Sequence, residues 1–265
     1  MKIANCKIFV VGETTLVSDG RDDFFKEIGV PLWGTDAASD SEELVEIAGK
    51  NCYQSFDLSL NENLTKVGAR NNHEYIQQGI ISTKHGSVLE HVSVSIIATD
   101  VSRVLTHELV RHRPGSAYSQ QSGRYVRTDT LSMYIPPEIM ERPELLKMYV
   151  KTADDIQASY MKMVELSGIN EMKDFDLKKR LTSALRRIRP NGESNSIMFT
   201  YNHRAYRHLI EVRTASGAEE EIRVLFNKVY EALKERYPSF YADAQVTPHE
   251  LPGRANIITF LHSKV

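Results

Sequence analysis

Between positions 92 and 96 the chain alternates, with Val92, Val94 and Ile96 apolar and Ser93 and Ser95 carrying hydroxyls. A period of two puts the aliphatic side chains on one face of an extended strand and the hydroxyls on the other. The period then lengthens. Val101, Val104, Leu105 and Leu109 recur at helical spacing, with Asp100 placed as the cap; this helix leads into Arg111-His112-Arg113 and stops at Pro114 and Gly115. Upstream, the β-branched run 7–17 predicts one strand, or two broken at Gly12, and a helical pattern begins at Ser41. Downstream, the pattern predicts a strand over 131–135, a turn at Pro136-Pro137 and a long amphipathic helix over 143–168, with Gly168 as its stop. A second helix over 176–188, a β-rich run over 196–201, a helix capped by Asn202 and reaching Arg213, and a last helix over 218–236 complete the reading. Helices and strands mix without a βαβ rhythm, so an α+β fold is expected rather than a doubly wound parallel sheet.

Composition narrows the class of protein. The 265 residues are 41% hydrophobic and 26% charged, which excludes a fibrous or disordered chain. Lys plus Arg number 33 against 35 for Asp plus Glu, a formal net charge of -2. No global positive field favours nucleic acid, so any anion site is local. Apolar runs such as 92–98 fall far short of the roughly 20 residues a membrane span needs, and the start lacks a basic leader followed by a cleavage site. A soluble cytoplasmic protein without nucleic-acid or membrane partners is expected. Cys6 and Cys52 form neither a CxxC pair nor a disulfide frame, and reduced thiols follow from that.

Three polar clusters carry candidate chemistry. From Arg111-His112-Arg113 to Arg124-Tyr125 a helix end passes into a loop rich in hydroxyls and amides, including Ser116, Ser119, Gln120, Gln121 and Ser122. Guanidinium forks suit phosphate or a pyrimidine carbonyl. The competing reading is a charged helix end favoured by the macrodipole. The second cluster, Asn202 to Arg213, lies on one helix: Arg204 and His208 share a face, and Asn202 and Arg213 are eleven apart and nearly eclipsed. A solvated basic stripe would have the same composition. The third, Arg186, Arg187 and Arg189 ahead of Pro190, reads by itself as a solvated helix end. His85 to His91 adds two imidazoles, a hydroxyl and a carboxylate. His107 and His112 lack the HExxH spacing and have arginines beside them, so no metal is expected. No GxxxxGK[ST] or GxGxxG loop and no GxSxG elbow occurs. Cys52 is read as a small buried residue rather than a nucleophile.

Together these clusters resemble the flavin-dependent thymidylate synthases. That family's signature is RHR, seven or eight residues, then Ser. Here Arg111-His112-Arg113 is followed by eight residues and then Ser122, with Gly-Arg-Tyr at 123 to 125. The likeness extends upstream to His85-Gly-Ser-Val-Leu-Glu90-His91 and downstream to Arg186 ahead of Pro190, Asn202, Arg204, His208 and Arg213, over roughly residues 45 to 245. It implies one compact domain of mixed helices around an antiparallel sheet. It also implies reductive methylation of dUMP to dTMP, with methylenetetrahydrofolate as carbon donor, FAD as hydride carrier, NADPH as electron source and no enzyme cysteine nucleophile. By the same resemblance Ser87, Glu90, Arg111, His112, Arg113, Asn202, Arg204 and His208 would hold the flavin, and His85 would lie near it. Glu108, Gln120, Ser122, Arg124, Arg186 and Arg213 would hold dUMP, with Arg186 and Arg213 as the catalytic pair. The family's homotetramers share sites between subunits.

The resemblance divides the chain into an extension at 1–40, a catalytic domain at 41–247 and a tail at 248–265. The sequence Thr106-His107-Glu108-Leu109 departs from an Arg-Gln pair found in some members. Two alternatives stand beside the dUMP reading: flavin-dependent C5 modification of another uridine nucleotide such as UMP, and a non-enzymatic RNA-binding protein.

Overall fold

A computed structural model describes residues 1–57, 59–60, 70–127, 129–263 and 265. In chain order the main elements are β1 (Lys2–Ile3), β2 (Lys7–Glu13), α1 (Ser18–Glu27), α2 (Asp40–Tyr53), β3 (Ser93–Ser102), α3 (Arg103–Leu109), β4 (Ser116–Gln120) and β5 (Ser132–Met133). There follow α4 (Pro143–Leu166), α5 (Phe175–Leu185), β6 (Ser194–Asn202), α6 (His203–Thr214), α7 (Glu220–Arg236), β7 (Ala244–Thr247) and β8 (Ile257–Phe260). Four strands form an antiparallel sheet in the order β2-β3-β6-β4. The fold is α+β with helices against an antiparallel sheet, as the resemblance implied.

Alternation decides which face of the sheet is covered. Val94, Ile96 and Ala98 of β3 and Ile197, Phe199 and Tyr201 of β6 are all buried, and they pack with Leu209 and Ile210 of α6 and Leu225, Phe226 and Val229 of α7. Fully burying each Val, Leu, Ile or Phe among them contributes on the order of 1.5–3 kcal/mol. On the other face, Ser95 and Thr200 share a hydroxyl hydrogen bond of 2.7 Å.

The run at 7–17 yields one strand, bulged between Val10 and Gly12, where Gly12 lies in ordinary contact with Ser95 of β3. Residues 1–40 thus include an edge strand of the main sheet, and α1 supplies Phe25 to a small aromatic cluster with Phe56 and Trp33. Helix α1 and the β7–β8 pair escaped the periodicity reading, because both are short and α1 is mostly polar.

The structure corrects several boundaries. Asp100 does not cap α3; it lies in β3 with φ 56° at a second register shift, between Ala98 and Val101. The cap is Ser102, whose hydroxyl accepts from the Leu105 amide at 3.0 Å. Val101 belongs to the strand, not the helix. Helix α3 ends at Leu109, so the Arg111-His112-Arg113 turn lies beyond it. The segment after that turn is strand β4 rather than a loop, because Ser116, Ala117 and Tyr118 pair with Tyr201, Thr200 and Phe199 of β6. The turn at Pro136-Pro137 opens a short helix, Pro137–Met140. Helix α5 is capped by Asp174 and gives way to a 3-10 turn at Arg186–Ile188. Asn202 caps α6, accepting from the Ala205 amide at 2.8 Å. Cys52 is exposed and Cys6 buried, the reverse of what was read for Cys52.

Arg207 is no part of a solvated stripe. It is 2% exposed, bonds both Asp243 oxygens at 2.7 and 3.0 Å, and lies over the Phe260 ring. This pair ties α6 to the segment that runs from Asp243 through β7 and β8. Removing one partner leaves a buried charge alone, which costs about 3–5 kcal/mol. Asp243→Ala is therefore expected to lower unfolding free energy by about that amount in urea titrations; a loss below about 1 kcal/mol would contradict it.

Candidate functional site

The turn that carries Arg111, His112 and Arg113 is fixed from beneath. The Tyr118 hydroxyl donates toward the Leu109 carbonyl at 3.1 Å and also meets the His112 carbonyl and the Tyr201 hydroxyl. Two strand tyrosines therefore bond carbonyls at and just beyond the α3 C-terminus, the Leu109 carbonyl also accepting from the His112 amide at 3.2 Å. Gly115 follows in the left-handed region, φ 64°, and a Cβ there would meet the Asn202 side-chain nitrogen at 2.6 Å. Only glycine lets the turn close against the α6 cap.

Above this turn lies an open cavity of about 440 Å³, lined by Glu90, Arg111, His112, Asn202, Arg204 and His208. Six of the eight residues assigned to flavin by the resemblance converge here. Arg204 pairs with Glu90 at 2.5 Å, half exposed, and so links α6 to the 3-10 turn Gly86–His91. Ser87, on that turn, and Arg113 are both exposed and line neither this cavity nor the next. His85 sits apart as well, 3.5 Å from the Tyr53 hydroxyl.

A second cavity, about 270 Å³, is lined by Arg103, His107, Gly123, Arg186, Arg187 and Arg189, among others. Arg186 was anticipated, and Ser122 and Arg124 flank the cavity through Gly123. Ser122 accepts from the Arg124 amide at 3.3 Å. Gln120 donates to Thr106 at 3.1 Å, outside either cavity. Sequence reasoning missed Arg103 and His107 here, and it discounted Arg187 and Arg189. The available signal was spacing, since Arg103 and His107 stand four apart on one face of α3. Arg103 and Arg186 crowd the same backbone: a Cβ on Gly123 would lie 3.1 Å from Arg103 Nη2 and 3.8 Å from Arg186 Nη1. Neither guanidinium forms an ion pair with a described carboxylate. Arg189 is balanced by Glu193 at 2.7 Å. Adjacent unneutralised cations repel, and an oxyanion between them relieves the repulsion.

Arg213 and Glu108 line neither cavity, and Arg213 meets the first through His112. Its Nε donates to His112 Nε2 at 2.7 Å, Nη1 reaches Glu108 at 3.0 Å, and Nη2 donates to the Glu108 carbonyl at 3.3 Å. Arg213 was assigned to nucleotide and His112 to flavin, yet the two are in direct contact. An imidazole nitrogen that accepts from a guanidinium is unprotonated, so the His112 proton resides on Nδ1. Burial, reinforced by Arg213 and His208, lowers its pKa to about 4. His107 and His112 face different cavities, as their five-residue spacing implied.

The α+β scaffold thus presents a polar cavity at the end of β6 and a cationic one at its start, donor sets that suit polar, anionic ligands. A model of the thymidylate synthase complementing protein family matches residues 35–239, and the chain belongs to that family. It is 36% identical over 221 residues to a flavin-dependent thymidylate synthase of Corynebacterium diphtheriae, covering 81% of this chain and 84% of that one. A flavin-dependent thymidylate synthase of Mycobacterium avium is 36% identical over 229 residues, covering 85% and 88%. In fold the chain is similar to a UMP/dUMP methylase, PolB of Streptomyces cacaoi, with TM-score 0.64 at 15% identity over 91% of this chain and 95% of that one.

The environment of His112 makes a measurable prediction. Its ring resonances are expected to stay in the neutral form from pH 8 down to about pH 5. A folded pKa below the unfolded value of about 6.5 means that the unfolded state takes up the proton first. The stabilisation is thus full above that value and is lost as pH falls toward about 4. A titration midpoint near 6.5 would contradict the Arg213 contact.

Proposed function

We propose that this protein methylates dUMP at C5 to give dTMP, with a flavin as hydride carrier. The observation that carries the reading is the Arg103–Arg186 pair, without a described carboxylate partner, in one cavity of a chain of this family whose other cavity gathers Glu90, Arg111, His112, Asn202, Arg204 and His208. The cavity of Glu90, Arg111, Asn202, Arg204 and His208 fits a flavin dinucleotide in its chemistry: Arg111 has no carboxylate partner among the described residues, so it can meet a pyrophosphate, and Asn202 and His208 can bond a polar ring edge. Bound there, FAD supplies hydride, taken from NADPH. Ser87 and Arg113 complete the flavin contacts. The cationic cavity takes the nucleotide phosphate through Arg103 and Arg186, with Ser122, Arg124 and Gln120 at its margin, and the Glu108–Arg213 pair lies toward the base.

Uracil C5 is a weak nucleophile, and one solution is thiolate addition at C6. Neither cysteine lines either cavity; Cys52 is exposed on α2, and burial pushes the Cys6 thiol up to about 12. The protein's own contribution is then electrostatic. With Arg186 on the phosphate, Arg213 is the group that stabilises negative charge developing on the pyrimidine carbonyls as C5 attacks the one-carbon unit of methylenetetrahydrofolate and loses its proton. Glu108 and the neutral His112 hold the Arg213 guanidinium in one orientation, so little reorganisation accompanies the reaction.

Both cavities open to solvent, and Ser87, Arg113 and Arg124 lie exposed outside them, which supports completion of each site by neighbouring copies in a homotetramer. Apolar side chains left exposed along α4, such as Leu145, Met148 and Leu166, suit such an assembly. No helix among the described residues is long and apolar enough to cross a membrane, and a cytoplasmic location suits the soluble substrates. The net charge of -2 offers nothing to support RNA binding.

Purified protein given FAD, NADPH and methylenetetrahydrofolate is expected to release the C5 proton of labelled dUMP, with release lost when flavin or NADPH is omitted. Release from UMP alone would replace the substrate, and no release from either would overturn the reading. Arg186→Ala is expected to raise KM for dUMP about 10- to 100-fold, since a charge-assisted bond contributes about 1.5–3 kcal/mol, while the flavin spectrum is kept. Arg204→Ala should do the reverse and release flavin with a smaller change in KM. Equal loss of both ligands in both variants would contradict the separation of the cavities.

A further inference from the structure

Both cavities depend on α3, a helix of seven residues. Arg103 and His107 face the cationic cavity, and Glu108 and the Arg111–Arg113 turn lie at the other end. So short a helix does not hold itself in place. Its N-terminus is held by the Glu193 and Asn191 carbonyls, which accept from the Arg103 and Val104 amides at 3.2 Å, and by one side chain from another element: Glu221, in the first turn of α7, is 1% exposed. Its Oε1 accepts from the Ser102 amide at 2.6 Å, and its Oε2 accepts from the Ser102 hydroxyl. That hydroxyl in turn caps the Leu105 amide. No lysine or arginine among the described residues pairs with Glu221. Its two bonds to Ser102 are what compensate a buried carboxylate.

We propose that Glu221 is a positioning residue whose carboxylate anchors α3 through Ser102, and that protonating it loosens the nucleotide site. The inference rests on the nucleotide reading of the cationic cavity. Protonation turns one oxygen from acceptor to donor, so the Ser102 hydroxyl can no longer donate to it, and it removes the negative charge at the α3 N-terminus. The surroundings place this change near neutrality. Burial raises the Glu221 pKa to about 7, with the two Ser102 bonds opposing and Glu219 and Glu108 adding to the rise. Tyr134, Tyr149 and Cys6 lie near it and are neutral near pH 7, burial raising each further, and the charges of Lys228 and Asp100 act on the same Cys6 thiol. Arg223 and Arg254, which line the adjacent cavity with His249, are engaged elsewhere, Arg223 by Glu220 and Arg254 by Glu138 and Glu141.

The test measures dUMP affinity from about pH 8 to about pH 6 for the wild type, Glu221→Gln and Ser102→Ala, with hydrogen exchange at the Leu105 amide corrected for its intrinsic pH dependence. The nucleotide phosphate titrates in this range for all three proteins, so the difference between them is the readout. The wild type is expected to lose about tenfold more affinity than Glu221→Gln over the range, because the variant is already weakened at the high end. Leu105 protection should fall with pH in the wild type alone. Ser102→Ala should show a reduced response, and it decides the matter if Glu221→Gln does not fold. Matching profiles and matching Leu105 exchange in wild type and variants would overturn the inference. Wild type that binds no dUMP at any pH would sink the nucleotide reading instead, and the Leu105 exchange would still decide the anchoring.

Discussion

The Arg213 guanidinium, shared between an unprotonated His112 ring and the Glu108 carboxylate, is the contact on which the site turns. It reaches from the last turn of α6 to the far end of α3, so the orientation of each helix limits the other. Helix α6 is fixed at its start by the Asn202 cap and along its buried side by Tyr206, Leu209, Ile210 and the Arg207–Asp243 pair. Helix α3 is fixed by Ser102 at one end and by the tyrosine pair below the Arg111–Arg113 turn at the other. Such fixed donors act on a developing charge without reorganising first.

The arrangement also has a cost. Arg103, Arg186 and Arg187 form no ion pair with a described carboxylate, and two of them approach one glycine. Uncompensated like charges lower the stability of the ligand-free fold, and the ligand's own charge restores it. The large buried core absorbs this cost. The covered face of the sheet, from Val94 to Tyr201, packs against α6 and α7, while the two cavities lie at the two ends of β6.

The sequence made legible what rests on period and on local chemistry. Alternation at Val92 to Ile96 marked β3, and Asn202 announced the α6 cap because its short amide side chain reaches back to a free backbone donor. Most of the residues in the first cavity were found through the family signature, which composition alone would have left as an unspecified anion site. What failed did so where tertiary pairing overrides local preference. Ser116 to Gln120 looks like a loop from its hydroxyls and amides, yet β6 supplies the hydrogen bonds that make it a strand. Asp100 is a better cap than most residues, but a bulge in β3 moved the helix start two residues on, to Ser102. Glu221 was invisible for another reason: it acquires its role from Ser102, far along the chain, and no spacing rule encodes that.

The most direct test of the central claim is a structure of the protein with FAD and dUMP bound. The account predicts flavin density along Arg111, Asn202, Arg204 and His208, the nucleotide phosphate between Arg103 and Arg186, and Arg213 still in contact with His112. A phosphate bound away from both arginines, or an Arg213 side chain turned away from His112 and Glu108, would contradict it.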